Sequence, residues 1–183
     1  MGIPRALNMY ENHPFWHAFF TRLGFSVVLS DNSNKATYES GIESMPSERV
    51  LSGQALHGHV MNLIAKDPDF IWMPCVRWER KEDPTAGNCY NCPIVMSYPT
   101  ALGLNVDAIT ENHVEFMYPF VPYHDKVGLK RRLYSCSPWS AWPTPRRVAA
   151  VCAGPSSPAP RSISRERRLR GRRALPSGHR DHG

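Results

Sequence analysis

The sequence predicts an α/β fold with an open, mostly parallel sheet and helices on both of its faces. Short apolar or β-branched segments recur along residues 1–134, and helix-length stretches separate them. Strands separated in this way usually pair in parallel, since the intervening helix carries the chain back across the sheet. The expected architecture is therefore Rossmann-like or flavodoxin-like. We expect it to be incomplete and followed by a disordered C-terminal tail.

The first expected elements are a strand end at residues 2–4 and a helix over residues 14–23. Within that helix, three apolar side chains recur at helical spacing, with Trp16 and Phe20 beside them: Phe15, Phe19 and Leu23. Gly24 should end the helix, because glycine adopts a left-handed conformation without steric cost. Residues 25–29 (FSVVL) form a β-branched run and predict the second strand.

The middle of the body predicts a second helical region and a third strand. A turn at residues 31–34 precedes a helix start. A second apolar stripe, ended by Asp67-Pro68, follows helical spacing through Leu56, Val60, Leu63 and Ile64. Residues 70–73 then predict the third strand.

Three more elements are expected before Tyr134. Residues 93–96 are apolar and predict a fourth strand, and residues 116–120 predict a fifth element. Residues 127–134 begin like a helix. The predicted domain therefore spans residues 1–134, and we expect it to be a fragment of a longer protein.

Ligands in open parallel sheets gather at the C-terminal ends of the strands. On the predicted sheet these ends fall at residues 8–11, 30–31, 74–75 and 97–99. Four polar residues at these positions are candidate ligand-binding residues: Asn8, Tyr10, Glu11 and Ser97. For those that follow the first strand, helix capping is the role we favour over ligand binding. The charged run 79–83 is expected to be a solvated loop. The alternative role of binding an anionic group falls to Arg77, Arg80 and Lys81.

The positive charge lies almost entirely in residues 135–183. That segment holds ten arginines but only two acids, Glu166 and Asp181. Taking these from totals of 22 basic and 16 acidic residues leaves 12 and 14 for residues 1–134, a net charge of −2. The body is therefore not expected to bind nucleic acid. The tail, with seven of the 17 prolines, predicts disorder. An RNA-binding arm is the alternative interpretation, and non-native sequence is the one we prefer.

No apolar run approaches the roughly 18 residues of a membrane-spanning helix. The first 16 residues also lack the charged-then-apolar layout of a signal peptide. A cytoplasmic location is therefore expected. In a reducing compartment, clustered cysteines more often bind metals or act in redox chemistry than form disulfides.

Three of the five cysteines form the candidate metal site: Cys75, Cys89 and Cys92. Cys75 follows the third predicted strand, and the other two form a CxxC motif. Two thiolates at this spacing suit zinc or an iron–sulfur cluster. A redox dithiol and small buried side chains are the competing interpretations. His57 and His59 are candidate additional ligands, although we favour histidines that bind no metal on a helix.

Several segments resemble a domain found in activator proteins of (R)-2-hydroxyglutaryl-CoA dehydratase and similar 2-hydroxyacyl-CoA dehydratases. Residues 2–31 (GIPRALNMYENHPFWHAFFTRLGFSVVLSD) match the opening of that domain. DFIWMPC, RKED and NCYNCPIVMSYP match it further along. The resemblance covers about residues 2–134, and its motifs are long enough to be specific.

The resemblance implies handling of low-potential electrons through a 4Fe–4S cluster. In such systems, ATP hydrolysis in an ATPase activase module drives an electron to dehydratase subunits, which remove water from a 2-hydroxyacyl-CoA. These proteins are the implied partners. The chain has no Gly-rich phosphate loop of its own, so the ATPase would be a separate region or protein. A zinc-binding structural module and an inactive truncated fragment are the alternative functions.

Two departures from the family pattern suggest shifts of reading frame. After residues 46–50 the family continues with C-Y-P-A-K, whereas this chain has LSGQAL from Leu51. The loss of two bases from the codons for C-Y-P-A-K, followed by the loss of one more base before His57, would convert the family segment into the one found here. A single base lost after Tyr134 would likewise convert an amphipathic helix into the tail sequence. If the replaced cysteine was a ligand, a cluster left with too few thiolates should be labile or absent.

Overall fold

Four short parallel strands form the sheet in the computed structural model, which describes residues 1–43, 51–135 and 145–152. The strands are β1 (Gly2–Ile3), β2 (Val28–Leu29), β3 (Phe70–Trp72) and β4 (Glu115–Met117). Their spatial order is β2-β1-β3-β4, and every pairing is parallel. This arrangement confirms the predicted open parallel α/β sheet. The order reverses between β1 and β3, so the switch point of the sheet lies between these strands.

The described helices alternate with the strands as the sequence predicts. They are α1 (Met9–Arg22), α2 (Lys35–Glu43), α3 (Leu51–Ala65), α4 (Pro93–Asn105), α5 (Asp107–Glu111), α6 (Lys126–Tyr134) and α7 (Pro145–Cys152). None of the helices in the described ranges is long and apolar enough to cross a lipid bilayer.

Helix α1 begins earlier than expected and buries only part of the predicted stripe, Phe19 and Leu23, together with the residues beside it. Trp16, Phe20 and Leu23 are fully buried, whereas Phe15 is 48% exposed. Pro14 lies inside the helix and cannot donate to the carbonyl of Tyr10 four residues before it. The ring Nδ1 of His13 lies 2.9 Å from that carbonyl oxygen and replaces the missing donor. The helix therefore continues through the proline.

Helices α2 and α3 pack closely because glycines lie at their contact. A Cβ atom on Gly58 would overlap the backbone carbonyl of Thr37, and one on Gly41 would overlap that of Gln54. Asn34 accepts a hydrogen bond from the backbone N–H of Thr37 over 2.9 Å, as expected for a helix start. The apolar stripe predicted in the second helical region is buried along α3.

The predicted fourth strand at residues 93–96 is wrong, because this segment forms the first turn of α4. Pro93 occupies the first helical position, where its fixed backbone angle favours a helix and its missing N–H costs nothing. The apolar residues continue at helical spacing, with Val95, Pro99 and Leu102 buried. The fourth strand is instead β4, which overlaps the start of the predicted fifth element.

Helix α7 differs from the expectation of disorder over residues 135–183. Val148 is fully buried, and Val151 and Cys152 pack against the core. These apolar side chains give residues 145–152 a hydrophobic face that the arginine and proline content of the tail obscured. The expectation of disorder for residues 136–144 and 153–183 lies outside the described residues.

Candidate functional site

Three polar side chains meet at the switch point of the sheet. The side-chain amide of Asn8, after β1, donates to Glu79 Oε1 over 3.4 Å. The side-chain amide of Asn91 donates to the same oxygen over 3.0 Å and to the carbonyl of Val76 over 3.2 Å. The loops that follow β1 and β3 are therefore joined through one carboxylate, where parallel sheets usually bind ligands.

Asn8 lies at the N-cap position of α1, yet its side chain makes no capping hydrogen bond. Its Oδ1 atom is buried and has no hydrogen-bond partner among the described residues. A buried acceptor without a donor costs free energy in water-excluded surroundings. The side chain of Asn8 thus contacts Glu79 at the switch point and does not cap α1.

Glu79 differs from the solvated loop residue that the charged run predicts. Its side chain is half-buried between two asparagine amides. The separations in sequence are 71 residues to Asn8 and 12 residues to Asn91. Sequence patterns carry no signal for such contacts, so this cluster could be found only from the folded chain.

The other candidate ligand-binding residues are exposed and do not join this cluster. Tyr10 is 63% exposed on α1, and Glu11 is exposed beside it. Arg80 is exposed in the loop after β3. Ser97 lies on α4, where its hydroxyl donates to the carbonyl of Pro93 over 2.8 Å. Ser97 therefore does not follow a strand, because the strand expected before it is a helix.

The CxxC motif is held against the loop that follows β3. The backbone N–H of Glu79 donates to the carbonyl of Cys89 over 3.0 Å, and that of Asn91 donates to Arg77 over 3.0 Å. Trp78 and Tyr90 form an antiparallel bridge between these hydrogen bonds. Cys89 is half-buried, and Cys92 is exposed immediately before α4. Two thiols are therefore presented on an anchored segment at the C-terminal side of the sheet.

Cys75 is buried away from that pair. Its Sγ lies 3.4 Å from the hydroxyl of Thr100, and burial raises the pKa of its thiol. Thr100 is eight residues beyond Cys92 on α4, which corresponds to roughly 12 Å along a helix axis. Within the described ranges, no three potential ligands among histidines, cysteines and acids converge on one point. These residues therefore offer a thiol pair and not a closed set of 4Fe–4S ligands.

His59 forms a second polar network, at the C-terminal end of β2. It is buried, with Nδ1 2.8 Å from Ser30 Oγ and Nε2 2.8 Å from Ser33 Oγ. Ser30 Oγ also accepts the backbone N–H of Arg5 over 2.7 Å. Burial, aided by the positive charge of Arg5, lowers the pKa of His59. His59 thus joins the loop after β2 to α3, and its ring lies 2.8 Å from two serine hydroxyls.

The other candidate histidine, His57, is also buried on α3. Its ring centroid lies 5.8 Å from that of Tyr98 on α4. The structure does not bring His57 or His59 into a group with the cysteines.

Comparison with known proteins assigns the chain to a family. Searches of curated proteins and of solved structures each found no match. A scan of family models matched residues 1–154 to the CoA enzyme activase uncharacterised domain. The match extends beyond Tyr134 and includes α7. Because it covers most of the chain, the protein belongs to the family of the CoA enzyme activase uncharacterised domain.

Proposed function

We propose that this chain is the cysteine-bearing α/β part of a 2-hydroxyacyl-CoA dehydratase activator system and supports ATP-driven transfer of low-potential electrons. Membership of the CoA enzyme activase family supports a role in such a system. The observation that carries the finer proposal is the anchored CxxC pair, Cys89 and Cys92, on the side of the sheet where ligands bind.

The cysteine pair suits an iron–sulfur site that is completed from elsewhere. A 4Fe–4S cluster is held by thiolates and transfers single electrons at low potential. Cys89 and Cys92 would supply two of these thiolates. The remaining ligands would come from outside the described residues, or from Cys75 if its thiol leaves Thr100. The hydrogen bonds to residues 77–79 would keep the pair in place at the protein surface.

The partners in this proposal are an ATPase activase module and dehydratase subunits in the cytoplasm. A cysteine pair in which Cys92 is exposed and Cys89 is half-buried favours exchange with a partner, because electron transfer requires close approach of the two centres. The chain's own contribution is positional. It holds Cys89 and Cys92 on a segment that pairs with the loop after β3, at the C-terminal side of the sheet.

Anaerobic reconstitution of the full chain with iron and sulfide tests the proposal. We expect broad visible absorption together with bound iron and sulfide. Both should be lost in Cys89→Ser and Cys92→Ser. Cys152→Ser on α7 is the matched control and should retain both. The Cys75→Ser variant reports whether the buried thiol joins the site, since iron is lost only if it does.

Two outcomes would contradict an electron-transfer role. Stoichiometric zinc held by Cys89 and Cys92, with no iron–sulfur cluster formed, would identify a structural zinc module. If the folded chain binds neither metal, both metal-based functions are wrong. Metal analysis of each variant separates these results, and circular dichroism establishes that the chain is folded.

A further inference from the structure

A cavity of about 620 Å³ opens at the C-terminal ends of β3 and β4. Its walls come from the loop after β3, the loop after β4 and helix α6. The side chains that matter for its chemistry are Arg77, Trp78, Phe120, His124, Arg131 and Arg132. The volume lies within the range of roughly 300–1,000 Å³ that is typical of small-molecule sites. Its position also agrees with the rule for ligand sites in parallel sheets.

Two large apolar side chains remain partly exposed in this cavity. Phe120 is 49% exposed and Trp78 is 38% exposed. The indole of Trp78 is held between neighbouring rings, with centroids 4.7 Å from Tyr90 and 5.3 Å from His124. Exposed apolar surface in a concave site usually marks a binding region. A flat aromatic ligand would cover this surface and gain stacking contacts.

The charged side chains that line the cavity are all basic. Arg77 and Arg131 are exposed, and Arg132 Nε donates to the carbonyl of Phe120 over 3.1 Å, which fixes its guanidinium at the wall. No acid is among the residues that line the described cavity. The nearby acids have other roles, since Asp125 caps α6 and Glu79 accepts from two asparagines.

We infer that this cavity binds a ligand that combines an aromatic base with phosphate groups, the chemistry of an adenosine diphosphate unit. Guanidinium groups match the geometry of phosphate oxygens, and several of them together compensate multiple negative charges. Aromatic side chains stack on any nucleic-acid base, because every base presents a flat π-face. Both features lie in one cavity of suitable volume. The inference does not depend on the proposed metal chemistry at Cys89 and Cys92.

An adenosine diphosphate unit occurs in free ADP or ATP and in CoA. Isothermal titration of the full chain with ADP, CoA, adenosine and pyrophosphate distinguishes these sources and parts. We expect ADP or CoA to bind at least about tenfold more tightly than either adenosine or pyrophosphate, a difference of about 1.4 kcal/mol. Tighter binding of ADP identifies a free nucleotide as the ligand. Tighter binding of CoA identifies CoA as the ligand, whose adenosine diphosphate unit carries a 3′-phosphate.

A pair of variants on α6 tests whether the cavity is the site. Arg131→Gln removes a lining cation and should weaken nucleotide binding by about tenfold, as expected for a charged hydrogen bond. Lys130→Gln is the matched control. Lys130 is an exposed neighbour of Arg131 but does not line the cavity, so this substitution removes the same charge outside the site. It should change binding by less than about threefold, since only weak long-range attraction is lost.

Three results would overturn the inference. The first is the absence of ADP and CoA binding at millimolar concentration. The second is pyrophosphate binding as tightly as the nucleotides, which would mean that the aromatic walls contribute nothing. The third is an equal loss of binding in Lys130→Gln and Arg131→Gln. The titrations use no metal and leave every cysteine intact, so their failure is separate from failure of the electron-transfer proposal.

Discussion

The indole N–H of Trp16 donates to the hydroxyl of Tyr123 over 2.5 Å. This hydrogen bond joins the buried face of α1 to the loop after β4, across 107 residues of sequence. Burial raises the pKa of Tyr123 above its usual range. The aromatic core thus contains a polar contact that links two segments far apart in the sequence.

Tyr123→Phe should destabilise the fold by about 1–3 kcal/mol, because it leaves the buried indole N–H without its acceptor. Urea denaturation measures this change as a lower midpoint. Tyr90→Phe is the control, since Tyr90 is 58% exposed and should lose less than about 0.5 kcal/mol. Equal midpoints for the two variants would show that the Trp16–Tyr123 hydrogen bond contributes nothing to stability.

Gly58→Ala should destabilise the protein by about 1–3 kcal/mol or more, because overpacking forces α2 and α3 apart. The added methyl group would overlap the backbone carbonyl of Thr37, which cannot move as a side chain would. Gly87→Ala is the matched control, since a Cβ at Gly87 meets no atom within 4 Å. Thermal denaturation compares the two variants, and a smaller effect at Gly58 than at Gly87 would contradict the packing of these helices.

The stability of the domain should fall as pH is lowered through the histidine range. The pKa of His59 is lowered in the folded state, so below an ordinary value of about 6.5 the unfolded chain binds the proton more readily. The contribution of neutral His59 to the free energy of unfolding is therefore fully present above that pH. It is progressively lost on acidification, until the folded-state pKa has also been passed.

Urea midpoints measured between about pH 7.5 and 5.5 test this dependence. His59→Gln removes the titrating group and should flatten the profile. His17→Gln, at an exposed position on α1, is the control for replacing a histidine. If His59→Gln keeps the wild-type slope, the acid sensitivity arises elsewhere.

Much of the fold could be predicted from local patterns, because those patterns match the burial seen in α3 and β3 and part of that seen in α1. The segment at Pro93 was misassigned, since three apolar residues in a row fit a strand or a buried helix equally well. A proline at the first helical position was the signal for α4. In α7, the three-residue spacing of Val148 and Val151 was the signal for a helix with an apolar face. The arginine and proline content of the tail concealed that signal.

The candidate site was less predictable, because its contacts join distant parts of the chain. The rule for strand ends identified Asn8 and Cys75, which do follow β1 and β3. It gave no indication that Glu79 meets Asn8 and Asn91, or that Cys75 faces Thr100. The CxxC motif identified two neighbouring thiols from spacing alone, whereas the position of a third thiol depends on the packing of α4.

The difference in burial between Cys75 and Cys92 predicts a difference in thiol reactivity. Cys75 is buried beside Thr100 and burial raises its pKa, whereas Cys92 is exposed before α4. Because thiolates are the reactive species, iodoacetamide should alkylate Cys92 at least roughly tenfold faster than Cys75 in the folded, metal-free chain. Peptide mass spectrometry measures both rates in one sample. In urea the two rates should converge, which controls for local sequence effects. Comparable rates in the folded chain would mean that Cys75 opens readily to solvent, and its thiol would then be free to join Cys89 and Cys92.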